Sequence, residues 1–99
     1  MAIGFEWDER KRASNERKHG VDLLRAARIF EGEVLEAPDR RRDYGEPRFI
    51  AIGLVGDDCF VLVWTPRNGR RRLISAWKGG RDERQIHQDR VSGRNPRDG

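Results

Sequence analysis

Seven of the 21 basic residues in this 99-residue chain fall between Pro66 and Arg84: Arg67, Arg70, Arg71, Arg72, Lys78, Arg81 and Arg84. Only Asp82 and Glu83 oppose them, so this span carries +5 while the rest of the chain sums to −1. Such a concentration fits a polyanion, most often nucleic acid, because each cation that neutralises a phosphate releases condensed counterions. Guanidinium adds geometry to charge: its planar fork grips two oxygens at once and stays protonated. Arg67 sits in the turn leaving one strand-like run and Arg72 starts the next, so the two could converge on one phosphate. Otherwise they are solvent-facing turn residues on an ordinary salt-bridged surface. Proton transfer near neutrality suits histidine, and there are only two, His19 and His87. His19, beside Gly20, reads as a structural helix-end residue, which leaves His87, with Lys78, for acid–base work.

Other chemistries lack their residues. One cysteine, Cys59, cannot form an internal disulfide, and no His/Cys pairs stand at ligand spacing, so no metal site is expected. Gly-rich phosphate loops are absent, so no nucleotide cofactor is expected. No run approaches the roughly 18–20 apolar residues of a membrane span. The first residues, MAIGFEWDERKR, lack the apolar stretch of a signal peptide, which makes a cytoplasmic protein without membrane contact the expectation.

The elements that must position these groups follow from where the apolar residues fall. Residues 48–77 hold 16 of them, and residues 8–20 only Ala13. Ile3, Phe5 and Trp7 alternate as a strand, with Trp7 expected to pack. Asp8 can cap a polar helix over Glu9–His19 that Gly20 ends. Asp22 repeats the device for a second helix, whose Leu23, Ala26, Ala27 and Phe30 form one apolar stripe. Val34-Leu35 reads as a short strand and Pro38–Pro47 as a charged loop with nothing to pack. The runs Arg48–Val55 and Cys59–Thr65 form a hairpin around Gly56-Asp57-Asp58; neither alternates, so both faces should be covered, and Trp64 belongs to the core. After a Pro66–Gly69 turn, Arg72–Ala76 is a further strand, and Asp82 caps a terminal helix to Val91. The expectation is one α+β domain over residues 1–91, a small antiparallel sheet with helices packed on it in the order β-α-α-β-β-β-β-α, and a disordered tail over 92–99.

Five blocks in this order carry a resemblance: FEWD (5–8), KHG (18–20), GEPRFIAIG (45–53), Thr65-x-Arg67 and RLISAWKGGRDER (72–84). Together they resemble the BrnT family of type II toxin–antitoxin toxins, over about Phe5 to His87. The resemblance implies a RelE-like fold and a toxin that cleaves RNA and arrests growth, weakly or in a ribosome-dependent way. It also implies neutralisation by a BrnA-type antitoxin with a ribbon-helix-helix part, through which alone the complex would meet operator DNA.

Metal-independent RNA cleavage uses the substrate's own 2′-OH as nucleophile. The protein must grip the phosphate, stabilise charge on its oxygens, remove a proton and protonate the leaving 5′-oxygen. On this reading Arg67, Arg72, Lys78 and His87 are the catalytic candidates, with Arg48, Arg70, Arg71, Arg81 and Trp77 contacting RNA. Glu46, beside Arg48, either positions substrate or forms an ion pair at a sheet edge. The family pattern usually has arginine where this chain has Trp77 and tyrosine where it has His87. Those departures motivate an alternative: a module that keeps antitoxin and nucleic-acid binding and has lost or weakened its chemistry.

Overall fold

The computed structural model describes residues 4–93. β1 (Phe5–Glu6) stops where Asp8 turns the chain: its carboxylate accepts from the backbone N–H of Arg10 at 2.7 Å and Lys11 at 3.4 Å, capping α1 (Glu9–His19). Gly20, at φ +69°, closes α1 in the left-handed region that side chains avoid. Asp22 caps α2 (Leu23–Ala26) and accepts two bonds from the Arg12 guanidinium, at 2.8 and 3.0 Å, so one carboxylate starts α2 and ties it to α1. The expected second helix is α-helical for only four residues and tightens into a 3-10 turn over Ala27–Glu31. Leu23, Ala26, Ala27 and Ile29 are buried, while Phe30 packs at the rim of the core.

β2 (Leu35–Pro38), β3 (Phe49–Val55), β4 (Asp58–Arg67) and β5 (Arg70–Lys78) complete a five-stranded sheet in the order β1-β5-β4-β3-β2. The expected all-antiparallel sheet is instead mixed. β1 runs parallel to β5, with Phe5 opposite Arg71 and Glu6 opposite Arg72, because no hairpin joins these strands and so none dictates their direction. β4 lies at the centre, and its two faces explain its unbroken apolar run. Phe60 and Leu62 pack with Ala51, Leu73 and Ala76 toward α2, whereas Val61 and Val63 point the other way and are still only 3% and 1% exposed. Gly53 in β3 lets the 3-10 turn approach, since a Cβ there would lie 2.7 Å from the Ile29 Cβ.

The β4–β5 turn is tighter than the four residues expected. Only Asn68 and Gly69 lie outside the strands, at φ 55° and 71°, the pairing that favours a two-residue hairpin. Pro66 is tolerated inside β4 because β3 reaches only as far as Trp64, opposite Phe49. Past the end of β1, the outer edge of β5 is taken by a side chain. Asn15 of α1 donates to the Ala76 carbonyl at 2.9 Å, accepts from the Ala76 N–H at 3.0 Å and donates to the Val21 carbonyl at 2.9 Å.

α3 (Arg81–Val91) starts from Gly80 with no side-chain cap, so Asp82 is a first-turn acid and not the expected cap. Trp7 is 37% exposed, its indole N–H donating to Glu9 at 2.7 Å; β1 ends at Glu6 and leaves it no core to join. Ser92 and Gly93 close α3 as a turn, and the remainder of the expected tail, 94–99, lies outside the described residues. Among the described residues no helix is long and apolar enough to cross a membrane.

A basic cleft as candidate nucleic-acid interface

Paired residues on neighbouring strands share a face. Thr65 and Arg72, Val63 and Ser75, and Val61 and Trp77 therefore occupy the face opposite the Phe60–Leu62 core. Two segments wall this face. On the β5 side stands α1, whose Lys11, Ser14, Lys18 and His19 border a hollow floored by Ile74 and Ser75. On the β3 side stands the segment before Arg48, anchored where the Thr65 hydroxyl donates to the Pro47 carbonyl at 2.6 Å.

Between the walls lies a cleft of about 390 Å³ whose lining includes Lys11, Glu46, Arg48, Thr65, Arg67 and Arg72. Four cations and one carboxylate thus converge there. Arg48 is held at Nε by Glu46 at 3.0 Å and lies 4.0 Å over the Tyr44 ring. Arg72 meets Glu6 at 3.5 Å, with both side chains largely buried. Arg67, at the exposed end of β4, lines the cleft and has no ion-pair partner among the described residues. Lys11 owes its place to Asp8: the cap fixes the first turn of α1, and the two backbone N–H groups of Arg10 and Lys11 hold the Asp8 carboxyl below its usual range.

The sequence-predicted residues divide by strand position. Arg48, Arg67 and Arg72 come together in the cleft, and Arg70 flanks it, opposite Arg67 at the hairpin end. Arg71 points to the other face, its guanidinium 4.1 Å over Phe30 and 5.1 Å from the Trp64 ring centre. Lys78 lies six residues along β5 from Arg72, roughly 20 Å away, and pairs with Asp58 at 3.4 Å. His87 is buried in α3, its Nε2 2.8 Å from the Glu33 carbonyl oxygen, and Arg81 is exposed at the start of the same helix. None of these four reaches the cleft. Trp77 lies farther along the same face as Arg72, with the His19 ring centre 6.1 Å away and the Arg41 guanidinium 5.4 Å from its ring centre.

Sequence reasoning missed Lys11, Lys18 and Arg41. For the lysines a signal was present: Lys11, Ser14, Asn15 and Lys18 fall at i, i+3, i+4, i+7, one polar face of α1. Nothing local marked that face as the inward one.

Segment 39–48 also departs from the expected unpacked loop. The Asp39 carboxylate has no exposed side-chain surface and accepts from Arg41 Nε and Nη2, each at 2.9 Å, and from the Arg41 backbone N–H at 3.2 Å. The Arg41 side chain outweighs burial and holds the Asp39 pKa at about 2, against 3.8 for an ordinary aspartate. A carboxyl depressed on folding stabilises fully above its unfolded pKa and loses that contribution as pH falls through its folded one. Asp39→Asn is accordingly expected to cost about 1–2 kcal/mol at neutral pH, allowing for the half-exposed Arg41. Thermal melts should show wild type losing stability faster than the variant between about pH 4 and pH 2; parallel slopes would remove Asp39 as the clip of this wall.

A family model described as a ribonuclease toxin, BrnT, of type II toxin–antitoxin systems matches residues 7–83, a span that includes every cleft residue named above. No curated protein matches the chain.

Proposed function

The chain belongs to the BrnT family of ribonuclease toxins of type II toxin–antitoxin systems, and from that premise we propose that the basic cleft is where it cuts RNA. The observation that carries this reading is the convergence of Arg48, Arg67 and Arg72, with Lys11, on one cleft. Three guanidinium groups aimed at one volume suit a phosphodiester, whose two non-bridging oxygens gain charge as the 2′-oxygen attacks phosphorus. Glu46 and Glu6 pre-orient Arg48 and Arg72, so the donors need little rearrangement when that charge develops. The chemistry needs no metal, since the guanidinium groups carry the compensating charge. Arg70 extends the grip at the rim. Trp77, beside His19 and with Arg41 over its ring, adds an aromatic and cationic group that an unpaired base can engage. Lys78 and Arg81 lie away from the cleft, too far for the step at phosphorus, and add to the field that draws RNA in, while His87 is buried in α3 against Glu33.

The five-stranded sheet with its helices fits a RelE-like toxin fold, and the partner is a BrnA-type ribbon-helix-helix antitoxin acting in the cytoplasm. Messenger RNA, free or on the ribosome, is the substrate; operator DNA is met only through the antitoxin. The test uses protein purified free of antitoxin and incubated with RNA, with and without ribosomes. Cleavage in either arm, together with slowed growth on expression, is the expected result. Intact RNA in both arms with unimpaired growth rules the reading out.

A second reading, a binding module with weakened chemistry, is favoured by one observation: the His87 imidazole is engaged with a backbone carbonyl. The resemblance adds the expectation of arginine where this chain has Trp77. Trp77→Arg separates them. If Trp77 serves as a base platform, the variant should bind single-stranded RNA about 5- to 150-fold more weakly, a loss of about 1–3 kcal/mol. A strong gain of toxicity would instead show the natural protein to be impaired.

A further inference from the structure

Cleavage by the 2′-OH needs a proton removed on one side of phosphorus and another delivered on the opposite side, and the cleft has one group of each kind on opposite walls. Within the ribonuclease reading, on which this rests, we infer that Glu46 is the general base and Lys11 the general acid. Neither role can fall to Lys78 or His87. The former is paired with Asp58 at the far end of β5, and the latter is buried against Glu33. Of the cleft residues, Glu46 is the one carboxylate.

Position and chemistry both support the pair. Lys11 approaches from α1, beyond β5, and Glu46 from the segment leading into β3, on the other side of β4. Two strand spacings, ~10 Å, separate β5 from β3. A phosphate with a hydrogen-bonded proton acceptor on one side and a donor on the other spans a comparable distance, and Arg72 of β5 and Arg67 of β4 lie between the walls. Each group is fixed by its neighbours. Glu46 precedes Pro47, whose carbonyl accepts from Thr65, and its carboxylate is braced by Arg48. Lys11 sits in the turn capped by Asp8. A carboxylate accepts a proton and an ammonium donates one, which are the two transfers this cleavage requires.

The step balances. Glu46 takes the 2′-OH proton, the 2′-oxygen forms a bond to phosphorus, the bond from phosphorus to the 5′-oxygen breaks, and Lys11 gives a proton to that oxygen. The products are a 2′,3′-cyclic phosphate and a 5′-hydroxyl. Water later restores both protonation states.

The experiment compares single-turnover cleavage of one RNA oligonucleotide by wild type, Glu46→Gln and Lys11→Met, using the ordinary 5′-oxygen linkage and a 5′-thio leaving group that departs without protonation. Both variants should cut the ordinary linkage about 10²–10³-fold more slowly, while still binding the 2′-deoxy oligonucleotide and melting within a few degrees of wild type. The thio linkage should restore Lys11→Met to near wild-type rate and leave Glu46→Gln slow. Glu46→Gln should also lose the rise in rate with pH that wild type shows on the acid side. A merely structural Glu46, holding Arg48, would slow the reaction equally at every pH. A merely phosphate-binding Lys11 would be unaffected by the leaving group. Either result overturns the assignment while leaving the ribonuclease reading intact. A wild-type protein that cuts no RNA overturns both.

Discussion

Arg67→Ala is expected to lower RNA cleavage about 10²–10³-fold and abolish growth arrest, with folding changed by no more than about 0.5 kcal/mol. The asymmetry follows from its surroundings: Arg67 is exposed and without an ion-pair partner among the described residues, so its removal leaves no buried group unsatisfied. Arg72 should behave differently. Its guanidinium meets Glu6, whose side chain is only 17% exposed, so Arg72→Ala strips a largely buried carboxylate of its cationic partner and leaves it the Asn68 amide at 3.3 Å. A similar loss of cleavage should therefore come with about 1–2 kcal/mol of lost stability. Chemical denaturation beside a cleavage assay reads both quantities. Arg81→Ala is the control, because it removes the same charge at the other end of the sheet. If it weakens the single-turnover step as much as Arg67→Ala, the effect belongs to the basic surface as a whole and the cleft loses its special status.

What could be read from the chain was whatever its neighbours in sequence decide. Asp8, Gly20 and Asp22 mark helix ends because a cap acts over two or three residues, and all three are found in those roles. The unalternating run through Val61, Leu62 and Val63 revealed a strand covered on both faces for the same local reason. Arg67 and Arg72 were legible as a pair because a two-residue turn joins their strands and register does the rest. Lys78 and His87 looked equally apt by residue type. Type carries no position, however: strand rise moves Lys78 away from Arg72, and the docking of α3 onto Glu33 occupies His87. The parallel pairing of β1 with β5, the inward face of α1 and the burial of Asp39 depend on contacts across the fold. Periodicity contains none of them. Glu46 is intermediate: its ion pair with Arg48 was one of two readings of its position, and the structure shows that pair inside the cleft.

The same distant contacts make Asn15 the residue whose loss should cost the fold most among polar positions. Its amide does the work of an absent strand, accepting from the Ala76 N–H and donating to the Ala76 carbonyl on an edge that β1 leaves open after Arg72. It also donates to Val21, just past the end of α1. Asn15→Leu keeps the branched shape and removes all three bonds, stranding backbone groups in a site 6% exposed. At about 1–3 kcal/mol for each unsatisfied group, with partial relaxation, a loss of about 2–4 kcal/mol is expected. Asn15→Asp should be worse at neutral pH. Its carboxylate can still accept from Ala76 but must face two carbonyl oxygens with no proton to offer. Acidification should recover part of that loss as the carboxyl protonates and can donate to one of them. Urea titrations of both variants at neutral and mildly acidic pH test this, and an Asn15→Asp protein as stable as Asn15→Leu at every pH would show that the amide donors carry no weight. For a chain this short, total stability is about 5–15 kcal/mol, so the substitution removes a large share. Its consequence reaches the cleft, because the helix that Asn15 seats against β5 is the one that presents Lys11.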